Sequence, residues 1–124
     1  MRAVTVACVS VLTTMLAASH ARAADIVTKA KVMTATFYHD KYDGRPMKGG
    51  GIFRQSNPHV AATGPRGYPI GTRLRLVNPR NGRVLEVEVR DRGNFSANNL
   101  DLSKAGYQQL GFTDYARLHV TIIK

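Results

Sequence analysis

Two aspartates, Asp91 and Asp101, are the side chains in this sequence best placed to do chemistry. A carboxyl group at the border of an apolar surface loses hydration, so its pKa rises and it becomes able to give and take a proton. Asp91 has that setting. In the alternating run that starts at Val84, strand geometry puts Leu85, Val87, Val89 and Asp91 on one face. Glu86, Glu88, Arg90 and Arg92 take the other face. Asp91 thus ends an apolar row where the chain enters Arg92-Gly93-Asn94. The adjacent arginines act in the opposite sense and favour the carboxylate. A turn role stays open as well, because Asp before Arg-Gly-Asn can bond backbone N–H groups two residues on. Asp101 also carries two readings. It is either a carboxylate favouring the start of a helix or a second acid facing Asp91.

Other chemistries find no support. His39, His59 and His119 lack the spacing of metal ligands, and no metal or cofactor is expected. There is no nucleophile elbow, phosphate loop or dinucleotide fingerprint. Tyr38, Tyr42, Phe53, Tyr68 and Phe95 suit stacking on sugar rings where exposed and core filling where buried.

The elements that must position the aspartates read as β. Arg73–Val77 and Val84–Arg90 alternate, with Asn78-Pro79-Arg80-Asn81-Gly82 between them. Asn-Gly between alternating runs is a hairpin signal. Val32–Tyr38, rich in Thr and aromatics, predicts an earlier strand. Pro58–Ala62 predicts a short one, and Leu118–Ile123 a closing one. One helix is expected over Lys104–Leu110, with Ser103 as N-cap and Gly111 as C-terminal cap. Residues 43–51 and 63–71 are glycine- and proline-rich loops. Short strands, glycine-rich connections and one short helix predict a small all-β barrel.

The N-terminus predicts export. Met1-Arg2 precedes an apolar run from Ala3 to Ala18, and an Ala-x-Ala pattern ends at Ala23. These are the marks of a signal peptide over residues 1–23. The run is short for a bilayer span of about 20 residues. Processing would leave one domain, residues 24–124, as a soluble monomer in the periplasm or outside the cell. That chain has no cysteine, since Cys8 is the only one. The full chain carries a formal charge of +10, and loss of Arg2 and Arg22 leaves +8. An exported cation of this size suits an anionic wall polymer. Nucleic acid is the rival partner on charge alone, but export and the absence of a nucleic-acid motif argue against it.

The sequence resembles the barrel domain of the rare lipoprotein A family over Met33 to Lys124. Ala35-Thr36-Phe37-Tyr38 resembles the family's opening strand, followed by Gly44-Arg45 and Gly50. Pro69-Ile70-Gly71-Thr72-Arg73-Leu74 resembles its Leu-Pro-Phe-Gly-Thr-Arg-Val segment, and Asn78 with Asn81-Gly82-Arg83 its hairpin. Val89-Arg90-Asp91-Arg92-Gly93-Asn94-Phe95 resembles its Asn-Asp-Arg-Gly-Pro-Phe signature. Leu100-Asp101-Leu102-Ser103 resembles its Ile-Asp-Leu-Ser segment. The resemblance implies a six-stranded double-psi β-barrel that binds peptidoglycan glycan strands. Active members are lytic transglycosylases, which cut between N-acetylmuramic acid and N-acetylglucosamine and leave a 1,6-anhydro end. Because the sugar's own 6-hydroxyl attacks, one carboxyl group suffices, unlike in ordinary glycoside hydrolysis. The implied acid/base is Asp91, supported by Asp101. Tyr38, His59, Arg90, Arg92 and Asn94 are the candidate substrate-binding residues, with His59 near the position of a family histidine. Gly51 stands where the family has a glutamate, and Asn94 where it has a proline. These departures keep a non-catalytic, expansin-like wall-binding module as the alternative. A third reading is a secreted protein that binds another protein or inhibits an enzyme.

Overall fold

The computed structural model describes residues 30–113 and 116–123. The expected signal peptide lies outside the described residues. The described residues form six strands: β1 (Lys31–Phe37), β2 (Val60–Thr63), β3 (Arg73–Val77), β4 (Val84–Arg92), β5 (Asn99–Leu102) and β6 (Ala116–Ile122). They close into a barrel in the order β1-β5-β2-β4-β3-β6. Two of the contacts, β1 with β5 and β2 with β4, are parallel, and the others are antiparallel. Closure leaves no strand edge unpaired, which suits a small domain without a disulfide.

Alternation fills the interior. Met33 and Ala35 of β1, Leu74 and Leu76 of β3, and Leu85, Val87 and Val89 of β4 all point into it. Leu100 and Leu102 of β5 and Ala116, Leu118 and Val120 of β6 complete the barrel lining. The one α-helix among the described residues, α1 (Lys104–Gln109), adds Tyr107 and is followed by Leu110 and Phe112 in the same cluster.

Caps explain where α1 starts and stops. The Ser103 hydroxyl accepts from the Gly106 N–H at 3.1 Å and donates to the Asn57 carbonyl at 2.6 Å. At the other end the orphan carbonyl of Leu110 accepts from the side-chain amides of Asn78 at 2.7 Å and Asn81 at 3.0 Å. The Asn-Gly signal therefore marks a six-residue connection, residues 78–83, that caps a helix as well as turning the chain. Gly82 takes the left-handed conformation (φ +74°) that this turn requires.

Two sequence expectations need correction. Asp101 does not lie at the helix start. It belongs to β5, two residues before the N-cap, where it pairs with Thr36 of β1. Nor does Asp91 share the interior face with Val89. The β2–β4 register matches Ala61 with Val89 but Ala62 with Asp91, so β4 spends one extra residue, at Arg90. A bulge of this kind reverses which side chains face inward beyond it. Asp91 consequently shares the outer face with Ala62.

Candidate functional site

The outer face of the barrel around β2 is where the two aspartates meet. Ala62 is in register with Asp91 of β4 on one side and with Asp101 of β5 on the other. The two carboxyls thus flank one alanine, on backbones roughly 10 Å apart across two strand spacings. Ala62 is small enough to leave a floor between them. A cleft of about 300 Å³ stands over this floor, lined by Tyr38, Tyr42, Asp91, Arg92, Asn94, Phe95 and Asp101 among others.

A second hydrophobic cluster builds the wall of the cleft. Tyr38, Met47, Phe53, Val60 and Ala62 are buried together outside the barrel, with Phe95 packed against them. The Tyr38 ring stacks on Phe53 at 4.0 Å between centroids, and Tyr42 meets it edge-on at 5.9 Å. Gln55 ties this wall to the helix. Its side chain donates to the Tyr38 carbonyl at 2.6 Å and accepts from the Lys104 N–H at 2.8 Å.

Each carboxyl has its own partners. The Tyr38 hydroxyl donates to Asp91 Oδ2 at 2.8 Å, and the Lys48 backbone N–H donates to Asp91 Oδ1 at 3.0 Å. That amide is delivered by a tight turn, residues 47–50, in which Gly50 N–H bonds the Met47 carbonyl at 3.0 Å. Gly49 allows the turn to lie against β4, since a Cβ there would meet the Arg90 carbonyl oxygen at 2.6 Å. Burial, then the bond to Asp91, push the Tyr38 phenol well above its ordinary pKa, so it stays a donor. Asp101 accepts from the Thr36 hydroxyl at 3.0 Å, which itself accepts from the Asn99 side chain at 3.0 Å. Burial pushes the Asp101 carboxyl up to about 6; the Thr36 bond pulls it back in part, and the neighbouring Asp91 charge adds to the rise. A carboxyl titrating there can hold and release a proton near neutrality.

The remaining candidates divide. Tyr38, Arg92 and Asn94 line the cleft with both aspartates. Arg92 is also a clamp, donating to the carbonyls of Gly64 (3.0 Å), Pro65 (3.3 Å) and Tyr68 (3.4 Å). Arg90 is not in the cleft. Its guanidinium holds the glycine turn through the carbonyls of Gly49 (2.6 Å) and Gly50 (2.9 Å) and pairs with Glu88. His59 is not brought to the site either. Its ring lies by the Glu86 carbonyl at 2.9 Å, in a separate groove with Arg73 and Glu88. The strand polarity explains this, because His59 precedes β2 at the end remote from Ala62 and Thr63. Sequence reasoning missed Thr36, Lys48 and Gln55. The first two act through one hydroxyl and one backbone amide, and no spacing rule announces such contacts.

Similarity to known proteins bears on what this cleft belongs to. No known protein-family profile matches the chain. An uncharacterized protein of Synechocystis sp. is 35% identical over 91 residues, which cover 73% of this chain and 94% of that protein. The endolytic peptidoglycan transglycosylase RlpA of Neisseria meningitidis is 37% identical over 89 residues, 71% of this chain and 36% of that enzyme. The probable RlpA transglycosylase of Nostoc sp. is 40% identical over 80 residues, 62% of this chain and 21% of that protein. The chain belongs to the rare lipoprotein A-like family. It spans between 21% and 36% of the length of the RlpA transglycosylases it matches. Solved structures agree on the fold. An expansin of Clavibacter michiganensis superposes with a TM-score of 0.59 at 19% identity, over 77% of this chain and 50% of the expansin. Streptomyces papain inhibitor superposes at 0.53 with 22% identity, over 73% of this chain and 94% of the inhibitor. The RlpA-like chain is therefore a double-psi β-barrel, all-β with one short helix.

Proposed function

We propose that this RlpA-like barrel is an exported peptidoglycan-acting enzyme, a lytic transglycosylase that cuts glycan strands between N-acetylmuramic acid and N-acetylglucosamine. The observation that carries the reading is the Asp91–Ala62–Asp101 row at the floor of the cleft. The RlpA relatives support the substrate. The raised pKa of Asp101 supports moving the acid role there from Asp91. Asp101 enters protonated and gives its proton to the glycosidic oxygen as the bond from muramic C1 breaks. The 6-hydroxyl of the same sugar closes on C1 and returns its proton to Asp101, leaving the 1,6-anhydro ring. Asp91, held by Tyr38 and Lys48, supplies negative charge beside the cationic sugar and keeps the proton on its neighbour. No water needs activation, so the second carboxylate need not act as a base.

A binding module without catalysis is the second reading, and one observation favours it. Gly51, at the position where family members carry a glutamate, has φ +80°. A glutamate there would sit in a conformation that L side chains avoid, so this loop is built without that acid. The deciding experiment incubates the purified protein and its Asp101→Asn and Asp91→Asn variants with sacculi and with peptide-free glycan strands. Soluble products are then read by mass spectrometry. Anhydro-ended fragments from the wild type, lost in Asp101→Asn, are the expected result. Wild-type protein that pellets with sacculi and releases nothing would leave a binding module and end the enzyme reading.

A further inference from the structure

The cleft has a cationic rim that its own acids do not neutralise. Lys41 Nζ lies 5.2 Å, and the Arg45 guanidinium carbon 6.0 Å, from the centroid of the exposed Tyr42 ring. Tyr42 is a wall of the cleft. Lys48, also exposed, is fixed at the rim by its backbone bond to Asp91. Among the described residues, none of Lys41, Arg45 and Lys48 forms an ion pair. The nearby acids are taken, Asp40 by Lys104 at 2.8 Å and Asp43 by Arg54 at 3.9 Å. Arg92, inside the cleft, is held by carbonyl oxygens and not by an acid. Three exposed cations thus stand near a cleft whose floor holds two carboxyls, and two of the cations lie on its Tyr42 wall. Charges within about 8 Å of a bound group act on it with little screening at physiological salt. A rim of one sign around a low-dielectric wall concentrates the opposite charge.

We infer that Lys41, Arg45 and Lys48 determine specificity, selecting a glycan strand that carries carboxylates along its length over a neutral β-linked polysaccharide. The inference rests on the proposed function and narrows it. A peptide-free muramoyl strand bears a free lactyl carboxylate on alternate sugars, whereas chitin bears none. The cations over the Tyr42 ring stand at the wall of the cleft, where they meet the substituent of a sugar bound beside that ring. The Asp91 carboxylate would otherwise repel such a substituent, so the rim lets an anionic strand reach the floor.

The test measures binding of the purified protein to three probes. They are peptide-free glycan strands with free lactyl carboxylates, the same strands converted to neutral amides, and chitin oligosaccharides. Free-carboxylate strands should bind about tenfold more tightly than amidated strands, from a few rim contacts each worth a few-fold. Raising the salt should close that gap. The K41Q/R45Q/K48Q variant should bind free and amidated strands alike. The charge-keeping K41R/R45K/K48R variant should restore the preference, which separates charge from loss of shape. Equal binding of free and amidated strands by the wild type, or an unchanged preference in the glutamine variant, would overturn the inference and leave the proposed function standing. Binding to none of the three probes would remove both.

Discussion

The barrel interior and the outer cluster beneath the cleft are both apolar, yet they are built differently and serve different ends. Interior residues come from alternate positions of all six strands, and their strands exist because that alternation exists. The outer cluster takes Val60 from β2 and Ala62 beside it, but Tyr38, Met47 and Phe53 come from the chain between β1 and β2. A sheet face turned away from the core normally meets water. Here residues 38–58 fold over it and create a second dry surface, and the two aspartates stand at its border. The interior gives the chain stability. The outer cluster walls the cleft in which burial raises the pKa of Asp101.

The largest effect should come from removing the proposed acid while leaving both clusters intact. Asp101→Asn keeps an oxygen for the Thr36 hydroxyl and should lower strand cleavage by about 10² to 10⁴. Stability should move the other way. Because the folded pKa of about 6 exceeds the ordinary 3.8, the native state binds more protons between those values. Asp101 therefore costs the wild type stability progressively as pH rises from about 4 to 6, and the full cost is present above that. The variant should melt above the wild type at pH 7.5, by about 1 to 2 kcal/mol of added stability, and alongside it near pH 4. Wild-type cleavage should decline as pH rises through 6, where Asp101 loses its proton. A variant that still cleaves, or a rate that climbs above pH 7, would contradict the assignment of the proton to Asp101.

A pair of core substitutions separates the two clusters. Leu76 is fully buried in the interior, and Leu76→Ala should cost about 2 to 5 kcal/mol, seen as an early thermal transition. Cleavage per folded molecule should hardly change at a temperature where the variant is folded. Phe53→Leu is milder for the fold, about 1 to 2 kcal/mol, because most of the buried volume remains. It removes the ring stacked on Tyr38, however, and should lower cleavage severalfold. If Leu76→Ala and Phe53→Leu lose activity in proportion to stability, the outer cluster has no separate role. Tyr38→Phe refines this further. It removes only the hydroxyl on Asp91, so a loss of about 1 kcal/mol in stability should accompany a measurable fall in kcat.

The two clusters were not equally legible. Strict alternation in Arg73–Val77 and Val84–Val89 announced β3 and most of β4, and Ser103 with Gly111 announced the helix. β5 went unread because four residues, Asn-Leu-Asp-Leu, sit against Ser103 and resemble the approach to a helix. The resemblance of the two aspartate motifs to a family pointed to Asp91 and Asp101, but local pattern misplaced each of them. Asp91 faces outward because of a bulge that depends on pairing with β2, and pairing between distant strands leaves no local mark. Asp101 meets Asp91 only because β2 lies between their strands. The burial of Tyr38 likewise depends on Phe53, which arrives from a loop 15 residues later.

His59 offers the smallest expected effect and the sharpest contrast between sequence proximity and position. It stands one residue before β2 and three before Ala62, so along the chain it is near the floor of the cleft. In space the parallel pairing of β2 with β4 carries the chain away from His59 toward Ala62, and His59 remains beside Glu88 while Ala62 reaches Asp91. Its ring is exposed and hydrogen-bonds the Glu86 carbonyl, so little free energy rides on it. His59→Ala should change stability by less than about 0.5 kcal/mol, as exposed substitutions do. Strand cleavage and its pH profile should match the wild type. A clear loss of cleavage, or a shift of the profile near the ordinary histidine range, would mean that substrate bridges the two grooves. The cleft would then extend along β4 past Arg90, and the outer cluster would be one half of a longer site.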